Sequence, residues 1–387
     1  MKRIVILGST GSIGRATIEI LEQSRGEFEV VGLAGGDNVE ELERQLVLFP
    51  SARFALRDAA SLARLVAGNH QLARRAVGHG SEGLMNLILD TGPELVVNAL
   101  VGIAGLVPTV VALENGCTVA LANKEALVTG GQLIDGILAG GRGLIIPIDS
   151  EHFSISRCLA GFREETVEIV LTASGGPFYG REFDELHGVT AAEALAHPTW
   201  KMGRKVSVDS ANLLNKGLEV IEAHWLFRFP YDAIKVVIHP QSIVHSIVRL
   251  RDGSLLAHLG PADMRLPLMS ALHYPAMKEF PWSTLALEDL GRLDFVPLDR
   301  ASYPAFSLAL GAAETGGTAP ASLNAADELA VEAFLAGRIG FNTIVSWIDE
   351  ALSAHTVRAA RQVTDILDAD RSTRAFLARS HPEASTS

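Results

Sequence analysis

The sequence predicts an α/β protein in three parts: a doubly wound parallel sheet at the amino end, a central α+β region with a mobile loop, and a carboxyl-terminal helical bundle. Three observations carry this. Short, near-continuous apolar runs at 4–7, 29–33, 95–97, 118–121 and 144–148 alternate with helical patterns such as 17–22 and 40–48, as parallel strands buried on both faces do. After Asp149 the grammar changes: runs at 166–172 and 234–238 are followed by runs at 242–250 and 255–259 that flank Asp252-Gly253, a hairpin signal. Beyond residue 305 only helical spacing remains, at 305–314, 323–335, 340–353 and 356–372, with breaks at Gly316, Gly317, Gly337 and Gly340. Helices of this length bury their apolar faces against one another as a bundle.

The expected domains are therefore 1–149, 150–273 and 305–387, with a linker at 274–304 punctuated by Pro275, Pro281, Pro297 and Pro304. Residues 175–203 are polar, glycine-containing and too irregular for one helix or strand, the composition of a mobile functional loop. Residues 381–387 read as a loose tail.

The composition narrows the class of function. Of 387 residues, 48% are apolar and 20% charged, which is ordinary for a globular chain and enough for more than one core. Basic residues number 33 against 45 acidic ones, a formal net charge of −12. That balance argues against nucleic acid, whose phosphates need a face rich in lysine and arginine. Cys117 and Cys158 lie far apart, which excludes a disulfide framework or a zinc knuckle and suits a reducing compartment. The first residues already read as a strand, with no signal or transit peptide ahead of them, so a cytoplasmic, bacterial-type protein is expected. Residues 95–113 carry no charge, but Asn98, Gly102, Gly105 and Pro108 divide them into strand, loop and helix start rather than a membrane span.

Gly8-Ser9-Thr10-Gly11-Ser12-Ile13-Gly14 follows the first strand and opens a helix. Glycines let the backbone approach a pyrophosphate, and the first amides of the helix, unpaired within it, point at that anion. The GxxGxxG spacing also suits a plain tight turn; its place on the first strand of an alternating sheet points to a dinucleotide. Roughly 20 residues further on, the second strand runs into Ala34-Gly35-Gly36-Asp37-Asn38. An acid there accepts hydrogen bonds from an adenosine ribose, and Asp37 would repel a 2′-phosphate by about 1–4 kcal/mol at contact distance. In a glycine-rich loop the side chain is free to point away, so the residues alone leave NAD against NADP open. Asn123-Lys124-Glu125 opens a helix after the 118–121 run, where contact with nicotinamide or substrate is expected.

Residues 144–148 run into Asp149-Ser150-Glu151-His152. If the strand stays extended, Asp149 and Glu151 share a face at a carboxyl end, where open α/β sheets bind ligands. Paired acids suit a hard cation such as Mg²⁺ or Mn²⁺ better than zinc, and two ordinary acids at a solvated strand end look the same. On a helix, Asn212, Asn215, Lys216 and Glu219 fall on one face. Lysine and asparagine donate to phosphate while glutamate suits a cation; the bland alternative is a solvated face with a Lys216–Glu219 ion pair. Ser174-Gly175-Gly176 offers a hydroxyl and bare amides, a candidate anion nest. His197-Pro198-Thr199-Trp200-Lys201-Met202-Gly203 has the residues of a water-excluding lid, or of a surface loop anchored by Trp200.

GSTGSIG at 8–14, ALANKEALV at 120–128, PIDSEH at 147–152, ASGGPF at 173–178, HPTWKMGRK at 197–205, VDSANLLNKGLEVIEA at 208–223 and NAADELAVEAF at 324–334 occur in this order. Together they resemble the 1-deoxy-D-xylulose 5-phosphate reductoisomerases over essentially the full length. The resemblance implies a Rossmann-like first domain, a homodimer, and NADPH- and divalent-cation-dependent conversion of 1-deoxy-D-xylulose 5-phosphate into 2-C-methyl-D-erythritol 4-phosphate, the committed step of non-mevalonate isoprenoid precursor synthesis. It implies that Thr10, Gly11, Ser12, Ile13, Gly36, Asp37, Asn38, Asn123, Glu125 and Gly203 line the NADPH site. Asp149, Glu151 and Glu219 would hold Mg²⁺, Mn²⁺ or Co²⁺. Ser174, Ser210, Asn215 and Lys216 would take the substrate, largely at its phosphate, and Lys124 and Ser150 would approach the keto-diol. His197, Trp200 and Met202 would belong to the closing loop, with Lys124, Glu151 and His197 as catalytic groups. Asp37 departs from the pattern, since many members carry a basic or small polar residue near the 2′-phosphate. Another NAD(P)-dependent dehydrogenase would need no three-carboxylate cation site, and a silent dinucleotide sensor would tolerate loss of Lys216 and Glu219 together.

Overall fold

A computed structural model describes residues 1–24 and 26–384. The chain begins β1 (Lys2–Leu7), α1 (Ser12–Gln23), β2 (Phe28–Gly35), α2 (Val39–Leu48), β3 (Arg53–Leu56), α3 (Ala59–Val66), α4 (His70–Arg75), β4 (Ala76–His79), α5 (Gly80–Thr91), β5 (Leu95–Asn98), α6 (Leu106–Glu114), β6 (Thr118–Leu121), α7 (Lys124–Ala139) and β7 (Leu144–Pro147). It continues α8 (Ser150–Leu159), β8 (Thr166–Ala173), α9 (Ala191–Ala194), α10 (Arg204–Ala211), α11 (Leu214–Phe227), β9 (Ile234–Ile238), β10 (Val244–Leu250), β11 (Leu255–Leu259), α12 (Arg265–His273), β12 (Val296–Pro297), α13 (Pro304–Thr315), α14 (Ala319–Leu335), α15 (Phe341–Ala354) and α16 (Val363–Ser380).

By its internal contacts the chain forms two units. The first comprises Met1–Ala126, Ile134–Asp149 and Asp263–Pro281. Its strands form a seven-stranded parallel sheet in the order β4-β3-β2-β1-β5-β6-β7. Ile4, Val5, Ile6 and Leu7 are all sealed from solvent, which is why β1 reads as an unbroken apolar run. Strand order reverses at β1, with β2 on one side and β5 on the other, so the loop after β1 occupies the sheet's switch point, the place where such folds bind ligands. Asn38, Asp58, Asn69 and Asn123 each cap the helix that follows by accepting a backbone N–H. Strands β3 and β4 have no counterpart in the sequence pattern, because Arg53 in the one and Gly78 and His79 in the other break the apolar run. Helix α12 completes this unit: Arg265 pairs with Glu19 of α1 at 2.9 Å, and the Leu272 carbonyl accepts from Lys2 Nζ at 3.1 Å.

The second unit comprises Leu127–Leu133, Ser150–Ala262 and Trp282–Ser387. Its five-stranded sheet runs β11-β10-β8-β9-β12. Only β8 and β9 pair in parallel; the other neighbours are antiparallel, and Asp252-Gly253 makes the expected turn with Gly253 at φ +90°. One core joins this sheet to α8 and α11 through Leu159, Leu171, Val220 and Phe227. A second core joins α10 and α11 to α13–α16 through Val208, Leu214, Leu218, Phe306's neighbour Ala309, Leu323 and Trp347. Gly217 permits that approach, since a Cβ there would lie 2.5 Å from Ala309 Cβ. The helical bundle is thus continuous with the central region in one unit, and 263–273 lies with the first unit, whereas the sequence pattern separated 150–273 from 305–387. Helix α16 starts at Val363 rather than 356, because Thr318 accepts from the Arg358 amide and donates its own to the Arg358 carbonyl, holding that segment extended. The tail expected at 381–387 begins as a short turn with Ala384 buried; 385–387 lie outside the described residues.

Candidate active site

In the first unit the anion loop is built mainly from backbone. Gly8 has φ +81°, and a Cβ there would lie 2.4 Å from the Ala99 carbonyl oxygen, so only glycine fits between β1 and the segment after β5. A Cβ on Gly14 would meet the Gly8 carbonyl oxygen at 2.3 Å, which draws α1 tightly onto the loop. Gly11 is the N-cap of α1 and supplies no side-chain cap, so the first amides of the helix are left to an external anion. Gly36 N donates to Thr10 Oγ1 at 3.5 Å, joining this loop to Gly36-Asp37-Asn38. These features fit a dinucleotide pyrophosphate. Asn123 is fully buried and its side chain is engaged within the unit: Nδ2 donates to the Leu100 and Gly102 carbonyls and to Glu125, while Oδ1 caps α7 at Ala126 N. Lys124 Nζ, also buried, lies 2.6 Å from Asp149 Oδ2.

The second unit, which the chain re-enters at Ser150 directly after Asp149 of the first, is built instead on buried side-chain charge. Strand β7 ends at Pro147 and α8 begins at Ser150, so Asp149 and Glu151 are not alternate residues of one extended strand. The acids flank a strand-to-helix turn, and Glu151 stands in the first turn of α8. Likewise α10 ends at Ala211, Asn212 caps it, and Leu213 takes the left-handed conformation (φ +59°) before α11 begins. Asn212 therefore leaves the helical face predicted for it, and Asn215, Lys216 and Glu219 share α11. Lys216 Nζ donates to Glu151 Oε1 at 2.8 Å and to Glu219 Oε2 at 2.5 Å. Asn215 Nδ2 donates to Glu219 Oε1 at 2.5 Å, and Ser150 Oγ to Glu151 Oε2 at 2.6 Å. Burial pulls the Lys216 ammonium toward losing its proton, but the charges of Glu151 and Glu219 more than offset this and raise its pKa. The ion pair foreseen between Lys216 and Glu219 exists, yet buried rather than solvated. Two carboxylates gathered by an ammonium form an oxygen donor set that fits a hard divalent cation, and Asp149 precedes Ser150 directly in the chain.

Gly175 and Gly176 both have positive φ (+87° and +71°), which turns the chain sharply after β8. The Gly176 amide expected to be bare donates to Ser174 Oγ at 3.1 Å, and a Cβ on Gly176 would meet the Ser210 carbonyl oxygen at 2.7 Å, so this turn lies directly on the end of α10. His197 reaches the same serine, with Nε2 at 2.9 Å from Ser174 Oγ. Its Nδ1 accepts from Trp200 N at 3.0 Å and Thr199 N at 3.2 Å, which assigns the proton to Nε2 and makes Ser174 the acceptor. Burial lowers the pKa of His197, in keeping with a neutral ring. The Trp200 ring lies 5.8 Å from the His245 ring, itself pushed down to about 4 by burial. Met202 is half-buried, Lys201 is exposed, and Gly203 caps α10.

Several residues escaped the sequence reading. His152 is sealed from solvent; its Nε2 is 2.9 Å from the Glu219 carbonyl oxygen and its Nδ1 3.4 Å from Glu222 Oε2, tying α8 to α11 beneath the acids. Ser246 Oγ donates to the Glu151 carbonyl at 3.0 Å. Lys205 Nζ lies 2.7 Å from Asp209 and 2.5 Å from Asp327, joining α10 to α14. Lys205 and Asp327 stand inside motifs visible in the sequence, but nothing local marks them as partners.

A glycine-built anion loop at the switch point of a parallel sheet, with an acid- and lysine-lined unit following it in the chain, defines a dinucleotide-dependent enzyme of the two-unit α/β class. Residues 4–131 match the 1-deoxy-D-xylulose 5-phosphate reductoisomerase family, and residues 145–227 and 259–376 match two descriptions of its C-terminal domain. The curated reductoisomerase of Chlorobium phaeovibrioides is 44% identical over 372 residues, covering 96% of this chain and 97% of its own. That of Caldanaerobacter subterraneus is 45% identical over 383 residues, covering 98% and 100%. Among solved structures, the Zymomonas mobilis reductoisomerase in complex with NADPH superimposes with a TM-score of 0.88 at 35% identity, covering 98% of each chain. A reductoisomerase in complex with NADPH, fosmidomycin and magnesium gives 0.93 at 34% identity, again covering 98% of each. The chain belongs to the 1-deoxy-D-xylulose 5-phosphate reductoisomerase family.

Proposed function

We propose that this chain rearranges 1-deoxy-D-xylulose 5-phosphate and reduces the product to 2-C-methyl-D-erythritol 4-phosphate, using NADPH and a divalent cation. The observation that carries the reading is the buried Glu151–Lys216–Glu219 cluster on α8 and α11, in a chain whose relatives bear this name and include complexes with NADPH and magnesium. Asp149, Glu151 and Glu219 would hold the cation, which would supply Lewis acidity to the substrate. NADPH, held by Thr10, Gly11, Ser12, Ile13, Gly36, Asp37 and Asn38 with Glu125 and Gly203, supplies the hydride. Asn123 contributes by fixing the loop from Leu100 to Gly105 through its buried amide.

The remaining roles belong to the chain's own side chains. Ser174, Ser210, Asn215 and Lys216 bind the phosphate end, Lys216 through its ammonium. Lys124 stabilises developing oxyanion charge and Ser150 orients the keto-diol. Glu151 relays a proton as well as ligating. His197, with Trp200 and Met202, closes over the phosphate: its Nε2–H donates to the Ser174 hydroxyl and so orients that hydroxyl.

The same reading includes a homodimer and a cytoplasmic setting. The edge strand β11 supports the first, with Leu255 53% and Leu259 37% exposed on an unpaired strand edge; sedimentation at twice the 41.2 kDa chain mass checks it. Two free, buried cysteines, Cys117 and Cys158, support the second. No helix among the described residues is long and apolar enough to cross a membrane.

The test of the function is loss of NADPH absorbance with purified protein, 1-deoxy-D-xylulose 5-phosphate and Mg²⁺, with a chelator control. Oxidation that requires both substrate and cation is expected, and Glu219→Gln is expected to lose it while still binding NADPH. Unchanged turnover in that variant removes Glu219 from the cation site.

A further inference from the structure

Asp37 occupies the position where an acid ordinarily selects NAD over NADP, yet the chain belongs to a family whose solved members bind NADPH. The structure accounts for this within the first unit. Leu56, the last residue of β3, pairs with Gly35, the last residue of β2, so the residue after β3 emerges beside the loop after β2. That residue is Arg57. Its Nη2 lies 2.8 Å from Asp37 Oδ1, and its Nε 3.7 Å from Asp58 Oδ2. From α3, Arg64 Nη2 donates to the Asp37 carbonyl at 3.0 Å. From α1, Arg15 Nη1 donates to the Thr10 carbonyl at 2.9 Å.

We propose that Arg57, supported by Arg64, is the residue of this chain that recognises the 2′-phosphate of NADPH and overrides the discrimination that Asp37 would impose. The proposal rests on the reading of the first unit as the NADPH site. Arg57 and Asp37 are 68% and 63% exposed, and an ion pair so open to water contributes little by itself. Arg57 can therefore exchange Asp37 for a dianionic phosphate, or bridge the two, at small cost. A guanidinium matches a phosphate with two parallel N–H donors, a stronger pairing than one carboxylate oxygen offers. Arg64 is fixed by a carbonyl rather than a carboxylate, so its charge stays unneutralised by that contact. The acids facing Arg57 are Asp37 and Asp58; Asp58 is occupied in capping α3 through Ser61 N at 2.8 Å.

The test is cofactor binding without substrate. NADPH, NADH and adenosine 2′,5′-bisphosphate are titrated into the full chain, Arg57→Gln and Asp37→Asn, and followed by calorimetry. Arg57→Gln is expected to weaken NADPH and the bisphosphate by about tenfold or more, the loss of one charge-assisted pair, and to change NADH less than about twofold. Asp37→Asn is expected to shift the ratio the other way, tightening NADPH relative to NADH; if Arg57→Gln does not fold, Arg57→Lys, which keeps the charge but not the paired donors, decides the matter by a smaller loss confined to NADPH and the bisphosphate. An unchanged NADPH-to-NADH ratio in the variants, whether both affinities fall or neither does, overturns the role of Arg57. Failure of the unaltered chain to bind either cofactor would instead overturn the reading of the unit itself.

Discussion

Two lysine clamps of nearly the same composition stand in the second unit. Lys216 joins Glu151 and Glu219 across α8 and α11; Lys205 joins Asp209 and Asp327 across α10 and α14. Each gathers two carboxylates around one ammonium, at distances from 2.5 to 2.8 Å. They differ at the far acid. The Glu151 side chain keeps 16% of its surface open and stands in the first turn of a helix, whereas Asp327 is sealed at 0% in the middle of α14. An acid with an open side can change partner when a cation or phosphate arrives. A sealed one cannot, so its clamp binds helix to helix. Buried charge alone thus marks no site; access for a ligand does.

The largest effect expected from this contrast is on catalysis. On the proposed reading Lys216→Met removes a donor to the substrate's phosphate, and it should lower kcat/KM by about 10²–10³-fold. Its loss of stability should be largely restored by adding Mg²⁺, because the cation replaces the ammonium between the two glutamates. Urea unfolding with and without Mg²⁺ checks this, and a variant equally unstable in both would place Glu151 and Glu219 outside the cation site.

Next comes the sealed clamp. Lys205→Met strands two buried carboxylates and should cost about 3–5 kcal/mol in urea unfolding, with no rescue by Mg²⁺. The double change Lys205→Met with Asp327→Leu should recover part of that loss, since apolar groups replace the Lys205–Asp327 pair at little cost while Asp209 stays buried without its ammonium. A double variant no better than the single would mean that α10 and α14 are held by something other than this clamp.

A smaller effect is expected at the glycine turn after β8. Gly176→Ala would place a Cβ 2.7 Å from the Ser210 carbonyl oxygen on a residue with φ +71°. We expect a loss of about 1–3 kcal/mol together with a raised KM for the phosphorylated substrate, because Ser174 and Ser210 move with it. A raised KM without a loss of stability would show that the loop relaxes around the added carbon.

The smallest effect is on pH dependence. Burial, then the charge of Asp209, raises the pKa of Asp327 well above its ordinary value. A carboxyl raised on folding is protonated in the native state over a range where the unfolded chain has lost that proton. Its contribution is complete below about pH 4, the unfolded value, and is lost as pH rises through the folded one. Stability should therefore fall over that window, and less steeply in Asp327→Asn, which keeps the shape without the titration. Identical profiles would mean that Asp327 does not take up a proton on folding.

Much of the fold was legible because its signals are local. Apolar runs of four or five residues mark strands buried on both faces, and β9 and β11 match the runs at 234–238 and 255–259. Strands β3 and β4 were missed because Arg53 in the one and Gly78 and His79 in the other leave no continuous apolar run, and the start of α16 was set too early because a contact with Thr318 holds the preceding segment extended. At the site, GSTGSIG and Lys216–Glu219 were readable, the first from glycine spacing and the second from helical spacing. The extended-strand argument for Asp149 and Glu151 failed because a helix starts at Ser150.

By itself the sequence determined the alternation of strands and helices, the anion loop on β1, and the acids and lysine at the head of α8 and along α11. These depend on steric limits and periodicities that act over a few residues. Only the tertiary structure decided that Lys216 reaches Glu151, that Lys205 reaches Asp327, and that Arg57 faces Asp37. A charge declares its type in the sequence but not its partner. The partner is chosen by which strands and helices pack together, and that packing is set by apolar surface distributed over the whole unit.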